Sequence, residues 1–161
     1  MFNLKAEFYL KIIFLFSFIA LISAFFIEYI LGHQPCNLCL IERIPYGLSI
    51  MIIMVIFLIR KNQKFLVMLL ILTFIFSFAI SFYHFGIEQG FFQESSVCGV
   101  KSLTDSVTKE DLLKQLSKKT ISCKDVTFRI FGLSLTSINI VISLLFIITL
   151  LKIFKKYEKN K

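Results

Sequence analysis

The sequence predicts an all-α membrane protein, a bundle of four transmembrane helices with a short and a long outer loop and both termini cytoplasmic. Three observations predict it. The 161-residue chain is 57% hydrophobic, carries 20 Phe and has a mean hydropathy of +0.83, well outside the range of soluble domains. It contains four long apolar runs, more than a core of this size can enclose without leaving a large sticky surface. Its 18 Lys and Arg against ten Asp and Glu, a formal +8, divide unequally between the two sides those runs define.

Span one covers residues 12–31, a run of 20 residues with Glu28 as its one charge. At ~1.5 Å per residue such a run crosses the ~30 Å hydrocarbon layer. A cleavable signal peptide fits poorly, because the run is too long, no A-x-A-like site follows and further spans come later. The apolar stretch at 44–59 has only 16 residues, which leaves a helix several Å short of the layer. Span two is therefore expected over about 41–59, with Pro45 in its first turn, where backbone N–H groups have no intrahelical partner. Spans three and four, 65–87 and 130–151, contain no Lys, Arg, Asp or Glu. The whole of 1–161 reads as one transmembrane domain.

The charges orient the bundle. Lys5, Lys11, Arg60, Lys61, Lys64, Lys152, Lys155, Lys156, Lys159 and Lys161 lie on one side, offset only by Glu7 and Glu158, a net +8. Eight cations, including Arg43, Lys124 and Arg129, face eight acids on the other side, a net of zero. The positive-inside rule makes the first side cytoplasmic. The basic composition is thus a topology signal, and nucleic acid is not needed as a partner.

The outer loops, at about 32–41 and 88–129, carry all four cysteines: Cys36 and Cys39 in the first, Cys98 and Cys123 near the ends of the second. Within the second, Thr108 followed by Glu110 and Asp111 resembles a helix start, and Leu112, Leu113 and Leu116 follow at helical spacing. The segment at 107–118 reads either as a helix lying on the membrane surface or as a solvated connector.

Outward cysteines sit where disulfides persist, and the natural pairing is Cys36 with Cys39 and Cys98 with Cys123. A two-residue gap closes a ring too small to give much loop-entropy stabilisation, and such pairs are usually redox-active. Two other readings stay open. One is a zinc site of four cysteines, or of three with His84; against it, thiolate zinc sites are largely intracellular and the chain has no second close-spaced ligand pair, so no metal is expected. The other is a pair of purely structural disulfides. Position favours redox chemistry: Cys39 lies at the start of span two, where the helix dipole favours a thiolate, and Arg43 lies four residues on, on the same face if the helix begins near Cys39. Arg43 also has a plainer reading as a snorkelling flank residue paired with Glu42. His84, taken alone, is an interfacial histidine.

The run Pro35-Cys36-Asn37-Leu38-Cys39-Leu40-Ile41-Glu42-Arg43 resembles the Pro-Cys-x-x-Cys-x-x-Glu-Arg signature of DsbB, the bacterial inner-membrane disulfide-bond formation family. The likeness extends over nearly the whole chain, through Tyr83-His84 at the outer end of span three and Phe131-Gly132-Leu133-Ser134 entering span four. The resemblance implies a membrane enzyme that reoxidises a DsbA-like periplasmic thiol oxidase and passes the electrons to a membrane quinone, ubiquinone or menaquinone. Under it, Cys98 is attacked by the partner thiolate with Cys123 as its disulfide mate, and Cys36 exchanges with Cys123. Cys39 faces the quinone as a thiolate, Arg43 holds a quinone oxygen and that thiolate, and His84 lies near the quinone. Both cysteine pairs face the periplasm. The chain departs from the family in lacking Trp, in Pro45 close after the Glu-Arg pair, and in a Lys-rich second loop without proline between its cysteines. Alternatives are a paralogue dedicated to one partner, a quinone reductase like vitamin K epoxide reductase, whose close cysteine pair comes later than its separated pair, and a non-enzymatic assembly factor braced by its disulfides.

Overall fold

The computed structural model describes residues 4–59, 62–93, 98, 122–124, 129–130 and 133–159. Four helices dominate it: α1 (Leu4–Tyr29), α2 (Asn37–Leu58), α3 (Gln63–Glu88) and α4 (Leu135–Lys159). Each is long and apolar enough to cross a membrane, in line with the four-span, all-α expectation. The segment at 107–118 lies outside the described residues.

All four helices start at positions other than the expected span starts, α1 at Leu4 rather than 12 and α3 at Gln63 rather than 65, and the starts of α2 and α4 each have a local cause. Helix α2 begins at Asn37, four residues ahead of the expected 41, because Cys36 acts as its N-cap: the residue is extended (φ −70°, ψ 166°) and its Sγ accepts the Cys39 N–H at 3.2 Å. Pro45 consequently sits in the helix interior and has no N–H to offer the Ile41 carbonyl. Helix α4 begins at Leu135 rather than 130. Residues ahead of it form a two-rung antiparallel hairpin, β1 (Arg129–Ile130) and β2 (Leu133–Ser134), with Arg129 opposite Ser134. Ser134 then caps the helix by accepting the Ser137 N–H on its Oγ at 3.2 Å.

Helix α3 ends in a glycine-terminated turn. Gly90 adopts φ +79°, a left-handed conformation that costs L side chains ~1–2 kcal/mol. Its N–H donates to the Ile87 carbonyl at 3.0 Å and the Phe91 N–H to the Gly86 carbonyl at 2.8 Å, the pair of bonds that defines a Schellman cap. Phe92 folds back and stacks on Tyr83, occupying the space that a Cβ on Gly86 would need. The end of α3, with His84 and Glu88, is thereby held in place.

Helix α3 packs against α4 and α2, and α1 leans mainly on α2. The interior has three zones. Leu10, Ile13, Ile53, Ile56, Leu70, Phe74 and Leu150 make an apolar core toward the chain termini. A polar ladder follows: Ser17 with Ser49 (3.0 Å), Ser77 with Ser143 (3.2 Å), and Asn139 with Ser81 (2.7 Å) and Tyr46. In lipid, where apolar burial does not drive helices together, such bonds add ~0.6 kcal/mol each on average. The third zone holds the cysteines. Outside, Phe8, Ile22, Met51, Phe76 and Leu145 stand exposed, the surface a lipid solvent tolerates and water does not.

Candidate redox centre

Both cysteine pairs are disulfides, Cys36–Cys39 across three positions and Cys98–Cys123 across 25. The N-cap geometry of α2 explains the first: it brings the Cys36 sulfur over the first helical turn, where Cys39 projects. The tertiary fold brings in the second. Cys36, Cys98 and Cys123 are buried in one apolar cluster with Leu38 and Ile87, and Cys39, Ile41 and Tyr83 pack on its edge. Two bonds distant in sequence therefore share a single apolar cluster. Cys39 is the less buried member of its pair.

His84 reaches this cluster from α3. It is 2% exposed, and its Nε2 lies 3.6 Å from the Cys36 Sγ. Nδ1 lies 2.9 Å from Glu42 Oε1, and the Thr136 hydroxyl is 3.3 Å from the same nitrogen. In the neutral ring the Nδ1 proton belongs to the Glu42 bond, which leaves the Nε2 lone pair facing sulfur. Glu88, one turn after His84, approaches Nε2 at 3.9 Å and accepts the Thr136 hydroxyl on Oε1 at 2.7 Å. Its Oε2 is buried with no partner among the described residues.

Arg43 points elsewhere. Its guanidinium donates to the Glu28 carboxylate of α1, lies 3.5 Å from the Ala24 carbonyl, and stands 5.3 Å over the Phe25 ring. The alternative pairing with Glu42 is not what forms, because Glu42 is engaged by His84 and, at 3.3 Å, by the Asn139 amide. Adjacent residues on a helix project about 100° apart, so Glu42 turns inward to α3 and α4 while Arg43 turns to α1.

The structure thus collects Cys36, Cys39, Cys98, Cys123 and His84 at one end of the bundle, with Arg43 on the α1 side of α2. Sequence reasoning missed Glu28, Glu42, Glu88, Thr136 and Asn139 as its supports. The available signal was the cost of an ionisable group inside or at the end of a span, which by itself asks for a named partner. The groove lined by Asn62, Lys64, Phe65, Met68 and Phe154 lies at the other end of α3 and contains none of these residues.

The chain is similar to known proteins over most of its length. An uncharacterized protein of Rickettsia prowazekii (strain Madrid E) is 32% identical over 147 residues, covering 90% of this chain and 86% of the relative. Residues 6–153 match the sequence profile described as Disulfide bond formation protein DsbB. Four spanning-length helices, a paired set of disulfides at one end and a match over nearly the whole chain identify a multi-pass membrane protein of disulfide-bond formation that belongs to the DsbB family.

Proposed function

We propose that the protein is a thiol:quinone oxidoreductase of the bacterial inner membrane, with both disulfides facing the periplasm, that reoxidises a DsbA-like dithiol protein and delivers the electrons to membrane quinone. The observation that carries this reading is the shared apolar cluster of the two disulfides: exchange between them needs contact, and a merely structural pair of braces does not.

The partner thiolate attacks Cys98, Cys123 leaves, and the second partner thiol closes the partner's disulfide. The two electrons now reside on Cys98 and Cys123 as thiols. Cys123 attacks Cys36 and releases Cys39, and Cys98 then resolves the Cys123–Cys36 bond, regenerating its own disulfide and leaving Cys36 and Cys39 reduced. His84, 3.6 Å from Cys36 Sγ and bonded to Glu42, is placed to accept the thiol proton there. The helix start favours Cys39 as the departing thiolate. A quinone held beside Cys39 would supply the oxidant for the Cys36–Cys39 dithiol, accepting its two electrons and two protons. The residues present fit such a group: Cys39 is accessible from the edge of the cluster, and Arg43 retains guanidinium N–H groups beyond those engaged by Glu28 and Ala24, free to hold a carbonyl oxygen.

The test is quinone-dependent oxidation of a reduced DsbA-like protein by the purified chain, followed by quinone absorbance. Partner oxidation that proceeds at the same rate without quinone sinks quinone as the acceptor, and no partner oxidation at all leaves the non-enzymatic assembly factor.

A further inference from the structure

We propose that the reduced centre is also a binding site for a thiophilic divalent cation of the zinc type, with Cys36, Cys39 and His84 as ligands and Glu88 as the fourth. The inference deepens the reading above, which generates this dithiol in every turnover, but chemical reduction generates it equally well.

The ligand atoms of Cys36, Cys39 and His84 lie within 4.8 Å of one another. A tetrahedral zinc ion with sulfur at ~2.3 Å and nitrogen at ~2.05 Å needs a sulfur-to-nitrogen edge of ~3.5 Å. The Cys36 Sγ to His84 Nε2 distance is already 3.6 Å. Reduction frees the two sulfurs, which the first turn of α2 keeps as neighbours. The histidine is prepared in the manner of metal-ligating imidazoles, its remote Nδ1 donating to the Glu42 carboxylate so that Nε2 faces the sulfurs. Glu88 supplies an independent pointer to a ligand. Its side chain is 6% exposed, lies 3.9 Å from Nε2, and has a buried oxygen with no partner among the described residues. Two thiols and an imidazole are donors that a zinc-type ion takes together, and the buried, half-satisfied carboxylate next to the imidazole offers a fourth.

Binding is proton displacement without electron transfer: the ion stays divalent, and two thiol protons leave as two metal–sulfur bonds form. Cys98 and Cys123 take no part and remain a disulfide, which separates this site from a four-cysteine zinc centre. A held dithiol cannot pass its electrons on, so the cation is expected to arrest reoxidation of Cys36 and Cys39 while leaving the first exchange with partner intact.

The full chain carrying Cys98→Ser and Cys123→Ser, reduced with a phosphine and freed of reductant, is titrated with cadmium as the probe and read by thiolate-to-cadmium absorbance. Zinc competes in a second titration. One ion per chain is expected for the reduced protein and none for the oxidised. His84→Gln and Glu88→Gln should each weaken binding roughly tenfold or more, with two titratable thiols and helical circular dichroism retained. Equal binding by oxidised protein, or wild-type affinity in both variants, overturns the site. If His84→Gln loses its helix content, Glu88→Gln decides alone. No quinone or partner is present, so failure here is distinct from failure of the oxidoreductase reading.

Discussion

The ion pair between Arg43 and Glu28 offers the sharpest test of the quinone-holding role proposed for Arg43. The two side chains are 17% and 21% exposed and bridge α2 to α1, and the guanidinium is further steadied over Phe25. At contact, with an effective dielectric of ~20, the Coulomb attraction is ~4 kcal/mol before desolvation. Removing about four-fifths of the water from both groups offsets much of that, and hydrogen bonds to charged groups contribute ~1.5–3 kcal/mol net. We expect a coupling of ~1–2 kcal/mol, which corresponds to roughly 5–30-fold in an equilibrium. Glu28→Gln removes the carboxylate charge, so Arg43 loses its anchor and presents its donors less well. The apparent KM for quinone should rise by about that factor while reduction of Cys98–Cys123 by partner stays near wild type. Arg43→Gln should raise KM further, and the double variant should resemble Arg43→Gln alone, because Glu28 acts only through Arg43. Steady-state quinone titrations with reduced partner, set beside stopped-flow measurement of the first exchange, give all four corners of the cycle. A Glu28→Gln enzyme with unchanged quinone KM, or additive effects in the double variant, would refute a positioning role for Glu28.

Other expectations follow from the same structure and from the charge pattern. With a net +8 on one side and zero on the other, a membrane-impermeant thiol reagent should label reduced Cys98 and Cys123 from outside in intact cells; labelling only in inverted vesicles overturns the orientation. Cys123→Ser leaves Cys98 a thiol without the neighbour that resolves a mixed disulfide, so a partner adduct should accumulate, sensitive to reductant and absent when Cys98 is also replaced; an adduct that depends on Cys36 or Cys39 instead would falsify the proposed order. Gly90→Ala places a side chain at φ +79° and should cost ~1–2 kcal/mol, lowering thermal stability in detergent, whereas Gly47→Ala on α2 meets no atom within 4 Å and should be neutral or better; equal shifts in the two variants would remove the capping argument.

How much of this was legible in the chain depends on whether the signal is local. Spans one and three follow from hydropathy because crossing ~30 Å of hydrocarbon is a demand on consecutive residues, and any run that satisfies it does so wherever its neighbours lie. The chemistry of a Cys-x-x-Cys pair is equally local, since three positions suffice to close the ring. Helix starts were less legible. Asn37 and Leu135 were set by single side-chain caps, the sulfur of Cys36 and the hydroxyl of Ser134, which an apolar window averages away.

The identity of each polar residue's partner came from packing alone. Nothing in the order Glu42-Arg43 says that the first turns to His84 and Asn139 and the second to Glu28, 15 positions back. That outcome depends on the rotation of α2 about its own axis, which is decided when α1 and α3 seat against its two sides. Likewise the 48 positions that separate Cys36 from His84 are bridged only when α3 docks beside α2. Hydrophobicity specified which segments leave water, because that free energy is a sum over a segment's own atoms. A hydrogen bond or ion pair between helices is a property of two surfaces at once, so it had no value until the bundle assembled.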